Sequence, residues 1–342
     1  MQGFAGQRVS EAQLSILAVH PGALGDVVLF GHLLRRLDGR VTLAAGGEKA
    51  RLLESLGVVD RALDFDALPM QELFGSTPLE ECELPGRPGP HDRLVCCYAD
   101  GPAGQRLAAA CGAATASFLP VRPPEGFGGH LVQLWCDLLG APFSEEDFRE
   151  AWTVPEAWRT AAREQLARLG VSGPFMAIHP GAGSQAKRWP VERFVELARI
   201  VGPASSAPGP IIKRQSPIAN GGSNGPARSR SRLCRRRPVF ILGPVELERF
   251  APEELAAIRS AGPVAPCPPL AALAGLLAEA ECFLGNDSGA SHLAAAVGTP
   301  TVALFGPTRA EQFRPLGPCA RTLQAESMDE IAVQAVRAAV GD

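Results

Sequence analysis

Cys282-Phe283-Leu284-Gly285-Asn286-Asp287-Ser288-Gly289-Ala290-Ser291-His292, running on through Leu293-Ala294-Ala295-Ala296 to Thr301-Val302-Ala303-Leu304-Phe305-Gly306-Pro307, reads as strand, tight turn, helix and second buried strand. A short apolar run ends at Gly285. Asn286 to Gly289 are turn and N-cap residue types, and the alanine run after them favours helix. The first N–H groups of such a helix lack intrahelical partners, and the dipole favours negative charge beside them. On the carboxyl edge of a parallel sheet this makes an anion cradle. Asp287 and His292 would line the same mouth. The plainer alternative is an Asp N-cap and a helix histidine in a structural unit.

A second echo sets the architecture. Ile16-Leu17-Ala18-Val19-His20-Pro21-Gly22-Ala23 is matched by Phe175-Met176-Ala177-Ile178-His179-Pro180-Gly181-Ala182. Both are continuous apolar runs that break at Pro-Gly and lead into a helix. Continuous hydrophobicity implies strands covered on both faces, hence parallel sheet. Strands are predicted near 14–19, 41–45, 94–98 and 115–119, and again near 175–179, 238–242, 282–285 and 301–305. Two Rossmann-like α/β domains follow, the first over 1–155 and the second over 170–325, with the junction between Trp152 and Gly173. One large doubly wound sheet is the alternative. Ser327 and Glu330 suit a capping box for a terminal helix within 326–342.

Composition narrows the class. A chain of 342 residues, 46% hydrophobic and 20% charged, is of globular type and long enough for two cores. A net charge of −3 gives no global pull toward nucleic acid. No apolar run is long enough to span a membrane, the first residues lack signal-peptide character, and nine scattered cysteines without CxxC spacing fit reduced thiols and a cytoplasmic location. Residues 203–237 stand apart. They are rich in Pro, Gly, Ser and Asn and carry eight Lys or Arg with no acid. They read as a low-complexity basic insertion, or as a basic arm for anionic lipid or nucleic acid.

Two further loops carry candidate chemistry. Gly22-Ala23-Leu24-Gly25-Asp26 opens the first helix without the dinucleotide fingerprint. Its glycines, Gly22 and Gly25, would admit a substrate close to the backbone, and Asp26 would stand at the helix mouth, unless it is only a dipole partner. Gly181-Ala182-Gly183-Ser184-Gln185-Ala186-Lys187-Arg188-Trp189-Pro190 offers free backbone at Gly183, a hydroxyl at Ser184 and a mobile positive charge at Lys187 for phosphate. It is not a Walker A loop. Trp189 reads as a packing anchor.

The segments HPGALGDVVLFGHLLRRL (20–37), HPGAGSQAKRWPVERFVELA (179–198) and GNDSGASHLAAAVGTPTVALFGPT (285–308) resemble glycosyltransferase family 9, whose best-known members are ADP-heptose:lipopolysaccharide heptosyltransferases. The resemblance implies a GT-B fold and inverting chemistry without a metal or cofactor. The nucleotide-sugar donor, ADP-heptose in the known members, would sit in the second domain. The acceptor, a lipopolysaccharide core or lipid A precursor, would sit in the first, with contact at the inner face of the inner membrane. By position it makes Asp26 the catalytic base and Lys187 with Ser184 the pyrophosphate loop. Asp287 becomes the contact to the donor sugar, and Ser288, Gly289 and His292 the turn beneath the diphosphate. Glu246 or Glu248 would be the ribose acid. The chain departs from the family at His20-Pro21, where many members carry Arg, at Gly31-His32, and across 203–237. A GT-B nucleotide-sugar epimerase and a non-catalytic nucleotide-sugar-binding or scaffold protein are the alternatives. A nicotinamide oxidoreductase lacks its fingerprint here.

Overall fold

A computed structural model describes residues 13–202 and 236–341. Eleven strands are present among them: β1 (Ser15–Val19), β2 (Arg40–Ala45), β3 (Arg61–Asp64), β4 (Arg93–Cys96), β5 (Thr115–Phe118), β6 (Phe175–His179), β7 (Arg237–Leu242), β8 (Val264–Pro266), β9 (Cys282–Asn286), β10 (Thr301–Phe305) and β11 (Ala320–Gln324). The helices between and after them are α1 (Leu24–Leu34), α2 (Lys49–Ser55), α3 (Gly101–Ala110), α4 (Leu131–Leu139), α5 (Glu156–Arg168), α6 (Val191–Val201), α7 (Pro244–Arg249), α8 (Pro252–Ala261), α9 (Leu270–Glu279), α10 (Gly289–Ala296), α11 (Ala310–Phe313) and α12 (Val333–Gly341).

The strands form two sheets, ordered β3-β2-β1-β4-β5 and β11-β10-β9-β6-β7-β8. Every pairing is parallel. Each domain therefore begins in the middle of its sheet and winds outward in both directions. The order reverses between β1 and β4 in the first sheet and between β6 and β9 in the second. In open α/β sheets, ligands bind at the carboxyl ends of strands beside such a reversal. The Pro-Gly loops after β1 and β6 leave from these two points.

Eight strands fall where continuous apolar sequence predicts them. β3, β8 and β11 do not announce themselves: Arg61 and Asp64 bound the first, the second has only three residues, and Arg321, Thr322 and Gln324 interrupt the third. The stretch between Trp152 and Gly173 is a packed element: α5 lies on α9 with Arg159 bonded to Glu279 at 2.8 Å. A Cβ on Gly275 of α9 would strike the backbone carbonyl of Trp158. Ser327 starts only a 3₁₀ turn at Met328–Glu330, without a side-chain cap, and the terminal helix begins later at Val333. Its buried Val333, Val336 and Val340 pack beside α6 against the second sheet. Of the basic stretch 203–237, residues 203–235 lie outside the described residues. Arg237 already belongs to β7, so the stretch ends inside a core strand.

The Gly31-His32 departure has a packing reason. A Cβ on Gly31 would lie 2.9 Å from both Leu53 and Trp152. The His32 ring packs 4.8 Å from Trp152 and 5.4 Å from Phe148. His130 caps α4 by accepting from Val132 N at 3.2 Å and reaches Arg314 O of the second domain at 3.0 Å. Burial, helped by repulsion from His130, His292 and Arg35, lowers His32 to about 3. Burial lowers His130 to about 3 as well. It lowers His20 to about 4, with Lys49 acting the same way and Asp26 opposing it.

All three rings are thus neutral in the folded protein near pH 5, whereas the unfolded chain protonates them below about 6.5. Stability is complete above that value and falls as the pH drops, by about 1.4 kcal/mol per pH for each ring while only the unfolded form is charged. Urea unfolding at pH 7, 6 and 5 should show a steep loss of stability. A flat profile across that range would contradict neutral burial.

Candidate functional site

The first wall of the cleft grows from β1. His20 is buried behind it, its ring 5.2 Å from Phe30 and 6.1 Å from Trp135, and its Nδ1 accepts from Gly22 N at 3.1 Å. That bond folds the Pro21-Gly22-Ala23 loop back toward the strand. A Cβ on Gly22 would sit 2.6 Å from the His20 ring and 3.0 Å from Asp26 Oδ2, so the glycine is needed for this tight turn. Asp26, in the first turn of α1, accepts from Ala23 N at 3.0 Å through Oδ2. The dipole-partner reading of Asp26 therefore describes one of its oxygens and leaves the other available.

The second wall comes from β6 and β9. Asn286 is the last residue of β9 and fully buried, where the sequence reading makes it a turn residue. Its Nδ2 donates to Pro180 O at 2.8 Å and Gly181 O at 3.1 Å, while its Oδ1 accepts from Trp189 N at 3.0 Å. Three buried backbone groups of the Pro180–Trp189 segment are thereby satisfied by one side chain. Trp189 is itself fully buried and donates from Nε1 to Ile331 O at 2.9 Å, in keeping with an anchor. Between these fixed ends, Gly183 and Ser184 are exposed and Lys187 closes a 3₁₀ turn.

Lys187 does not hang free. Its Nζ bonds Asp287 Oδ2 at 2.8 Å, and His292 Nε2 approaches Asp287 Oδ1 at 3.8 Å. Burial alone would raise the Asp287 carboxyl, but these two partners outweigh it and hold it down at about 2. Ser288 makes no side-chain cap on α10; its hydroxyl pairs with that of Ser291 at 3.2 Å. Its backbone still starts the helix at the cleft. The buried Nδ1 of His292 has no hydrogen-bond partner among the described residues.

The walls meet where α1 and α10 begin. A Cβ on Gly289 would lie 2.8 Å from Leu24, and one on Gly25 would lie 2.9 Å from His292. Gly25 therefore serves the contact between the domains and also borders the cleft. Above this contact lies a cleft of about 420 Å³ that brings Asp26, Lys187, Asp287, Ser288, Gly289 and His292 together with Gly22, Gly25 and Gly183. Glu246 is not on it. Glu246 is buried, accepts from Gly243 N at 2.8 Å, and lines a separate hollow of about 140 Å³ with Ser184 and Arg188. A Cβ on Gly181 would collide with the Glu246 carboxylate. Glu248 is exposed, so of the two acids only Glu246 faces a hollow beside the loop.

Two cleft groups escape the sequence reading. Arg122, after β5, is an exposed cation on the cleft and also borders a third hollow of about 520 Å³ with Cys97 and Tyr98. Burial raises the Cys97 thiol well above its usual value, which keeps that part of the wall uncharged. Neither residue sits in a patterned loop, so nothing in the spacing marks them. Among the described residues no group of three His, Cys, Asp or Glu could hold a metal ion, and no helix is long and apolar enough to cross a membrane.

A carboxyl lowered from 3.8 to about 2 in the fold stabilises it above pH 4 and loses that contribution as pH falls toward 2. The full effect is about 2 kcal/mol. Asp287→Asn should therefore be less stable than the parent at pH 7, with the gap closing toward pH 2.5. A pH-independent gap in unfolding free energy would mean that the carboxylate's charge plays no part.

Comparison with known proteins adds the family. The chain is 31% identical over 156 residues to lipooligosaccharide heptosyltransferase 2 of Haemophilus influenzae, which is 45% of this chain and 37% of that protein. It is 28% identical over 191 residues to lipopolysaccharide heptosyltransferase 3 of Escherichia coli, covering 55% of this chain and 47% of the relative. These stretches span less than half the length of either curated relative. The fold is like that of the E. coli ADP-heptose lps heptosyltransferase II, with a TM-score of 0.62 at 19% identity over 96% of this chain and 97% of the other. That likeness shows the GT-B arrangement of two parallel-sheet domains. The sequence pattern of glycosyltransferase family 9 (heptosyltransferase) matches residues 104–206 and 236–336, more than half of the chain, and the chain belongs to that family.

Proposed function

We propose that this protein is an inverting, metal-independent glycosyltransferase that moves heptose from ADP-heptose to a sugar of a lipopolysaccharide core. The observation that carries this reading is the cleft itself: Asp26 on one domain and the Lys187–Asp287 pair with the start of α10 on the other open on the same 420 Å³ space. The first is what an attacking hydroxyl needs, and the second is what a departing diphosphate needs.

In this mechanism the acceptor hydroxyl loses its proton to Asp26 as its oxygen bonds the anomeric carbon. The bond from that carbon to the diphosphate oxygen breaks on the opposite face, so the centre inverts. Negative charge grows on the leaving nucleoside diphosphate. Lys187 and the N–H groups at the start of α10 stabilise it, a role for preorganised positive charge in a site partly shut from water. Asp287, held ionised by its two partners, is placed to accept from hydroxyls of the donor sugar. Ser184 and Glu246, on the neighbouring small hollow, suit the ribose end of the nucleotide. Arg122 stands on the first-domain side, where an anionic acceptor would approach.

General base catalysis is typically worth about 10²–10⁴ in rate. Transfer from ADP-heptose by Asp26→Asn should fall by that factor while ADP affinity, measured by calorimetry without added metal, stays within about threefold. Lys187→Ala should weaken ADP binding by about tenfold, the scale of a lost charge-assisted contact. Near-parental transfer by Asp26→Asn would remove Asp26 as the base, and unaltered ADP binding by Lys187→Ala would remove the phosphate assignment.

A further inference from the structure

Lys49 lies outside every loop that the mechanism uses, at the start of α2, yet its Nζ donates to Gly22 O at 2.7 Å. The Gly22 carbonyl belongs to the same peptide unit as the Ala23 N–H, and that N–H is the one donated to Asp26 Oδ2 at 3.0 Å. One peptide is therefore gripped at both poles, by an ammonium on its oxygen and a carboxylate on its hydrogen. A cation on an amide oxygen draws electron density along the amide and strengthens its N–H as a donor, since linked hydrogen bonds polarise one another. The plane of that peptide fixes which Asp26 oxygen is occupied and which is left for a hydroxyl.

The neighbouring residue supplies a second, independent contact. Glu48 Oε2 accepts from Leu270 N at 2.8 Å, the first N–H of α9 in the other domain. That N–H is an orphan of a helix start, and Pro269 before it gives no side-chain cap, so the Glu48 carboxylate does the capping. The turn that carries both residues is stiffly held. Gly47 adopts φ +60°, and its N–H donates to Asp66 Oδ2 at 3.0 Å. Adjacent residues on one rigid turn thus hold the loop of Asp26 and the opposite domain.

We propose that Lys49 is a positioning residue for Asp26, acting through the Gly22–Ala23 peptide, and that the Glu48–Leu270 bond makes this positioning depend on the approach of the two domains. The inference rests on Asp26 being the base. A neutral His20 supplies no charge to this loop, and Lys49 brings one from a different element. Around Asp26 the other titratable and charged groups are His20, Cys97, Arg122, His292 and the Lys187–Asp287 pair; of these only His20 is bonded to the loop, at Gly22 N.

The test follows the Ala23 amide directly in protein labelled with ¹⁵N-alanine, alongside transfer from ADP-heptose. In Lys49→Met the Ala23 amide should exchange with solvent about tenfold faster and kcat should fall about tenfold or more, with donor KM within about twofold, as displaced catalytic geometry predicts. Lys49→Arg should recover most of both. Lys49→Gln, which keeps a donor but no charge, should fall between them, and Glu48→Ala should change both readouts in the same direction as Lys49→Met. Unchanged Ala23 exchange in Lys49→Met, or faster exchange with parental kcat, overturns the proposal. Asp26→Asn is run beside them: if it transfers normally the base assignment fails, whereas the Ala23 amide still reports whether Lys49 governs the peptide.

Discussion

Everything in the cleft depends on how closely α1 and α10 approach. Both helices begin at the boundary between the domains, and Gly25 and Gly289 let their first turns touch where any side chain would collide with Leu24 or His292. Two helix N-termini, one from each sheet's point of strand reversal, are so brought to one space. The positive ends of both helices and the unpaired N–H groups of their first turns then act on whatever occupies it. A larger residue at either glycine would separate the walls and with them Asp26 from the Lys187–Asp287 pair.

The second domain keeps its cleft charges paired. Lys187, about a third exposed, is tied to the nearly buried Asp287, which His292 also approaches. A free ammonium and a free carboxylate in such a place would each lose hydration without return. Paired, they form a compact dipole, which a diphosphate and a sugar hydroxyl would divide between them in the proposed transfer. Asn286 does the corresponding work for the backbone, fastening the Gly181–Trp189 loop so that Lys187 is presented from a fixed base. The first domain repeats the device with different residues: a neutral His20 and a charged Lys49 hold the loop in front of Asp26.

Much of this was legible in the sequence, for physical reasons. β1, β6, β9 and β10 are covered on both faces, so their hydrophobicity is unbroken and their Pro-Gly or Asn-Asp exits stand out. Lys187, Asp287 and the residues after it lie in those exits, and the residue types around Asp287 announce a helix start; the roles of Asp26 and Glu246, which spacing alone leaves open, are only implied by the family resemblance. What the sequence hid acts across long separations. Lys49 reaches a carbonyl 27 residues earlier in the chain, Glu48 an N–H 222 residues later, and Asn286 a loop about 100 residues back. No local pattern marks such contacts. The edge strands β3, β8 and β11 were hidden for the opposite reason, because charged and polar residues interrupt β3 and β11 and β8 is only three residues long.

In the proposed transfer one cleft serves both the attacking hydroxyl and the departing diphosphate. A crystal structure of the full chain with ADP bound would show this arrangement. The diphosphate oxygens should lie within about 3 Å of Lys187 Nζ and of N–H groups at the start of α10, with Asp26 across the cleft and unobstructed. ADP seated in another hollow, or with its phosphates turned away from α10, would contradict it.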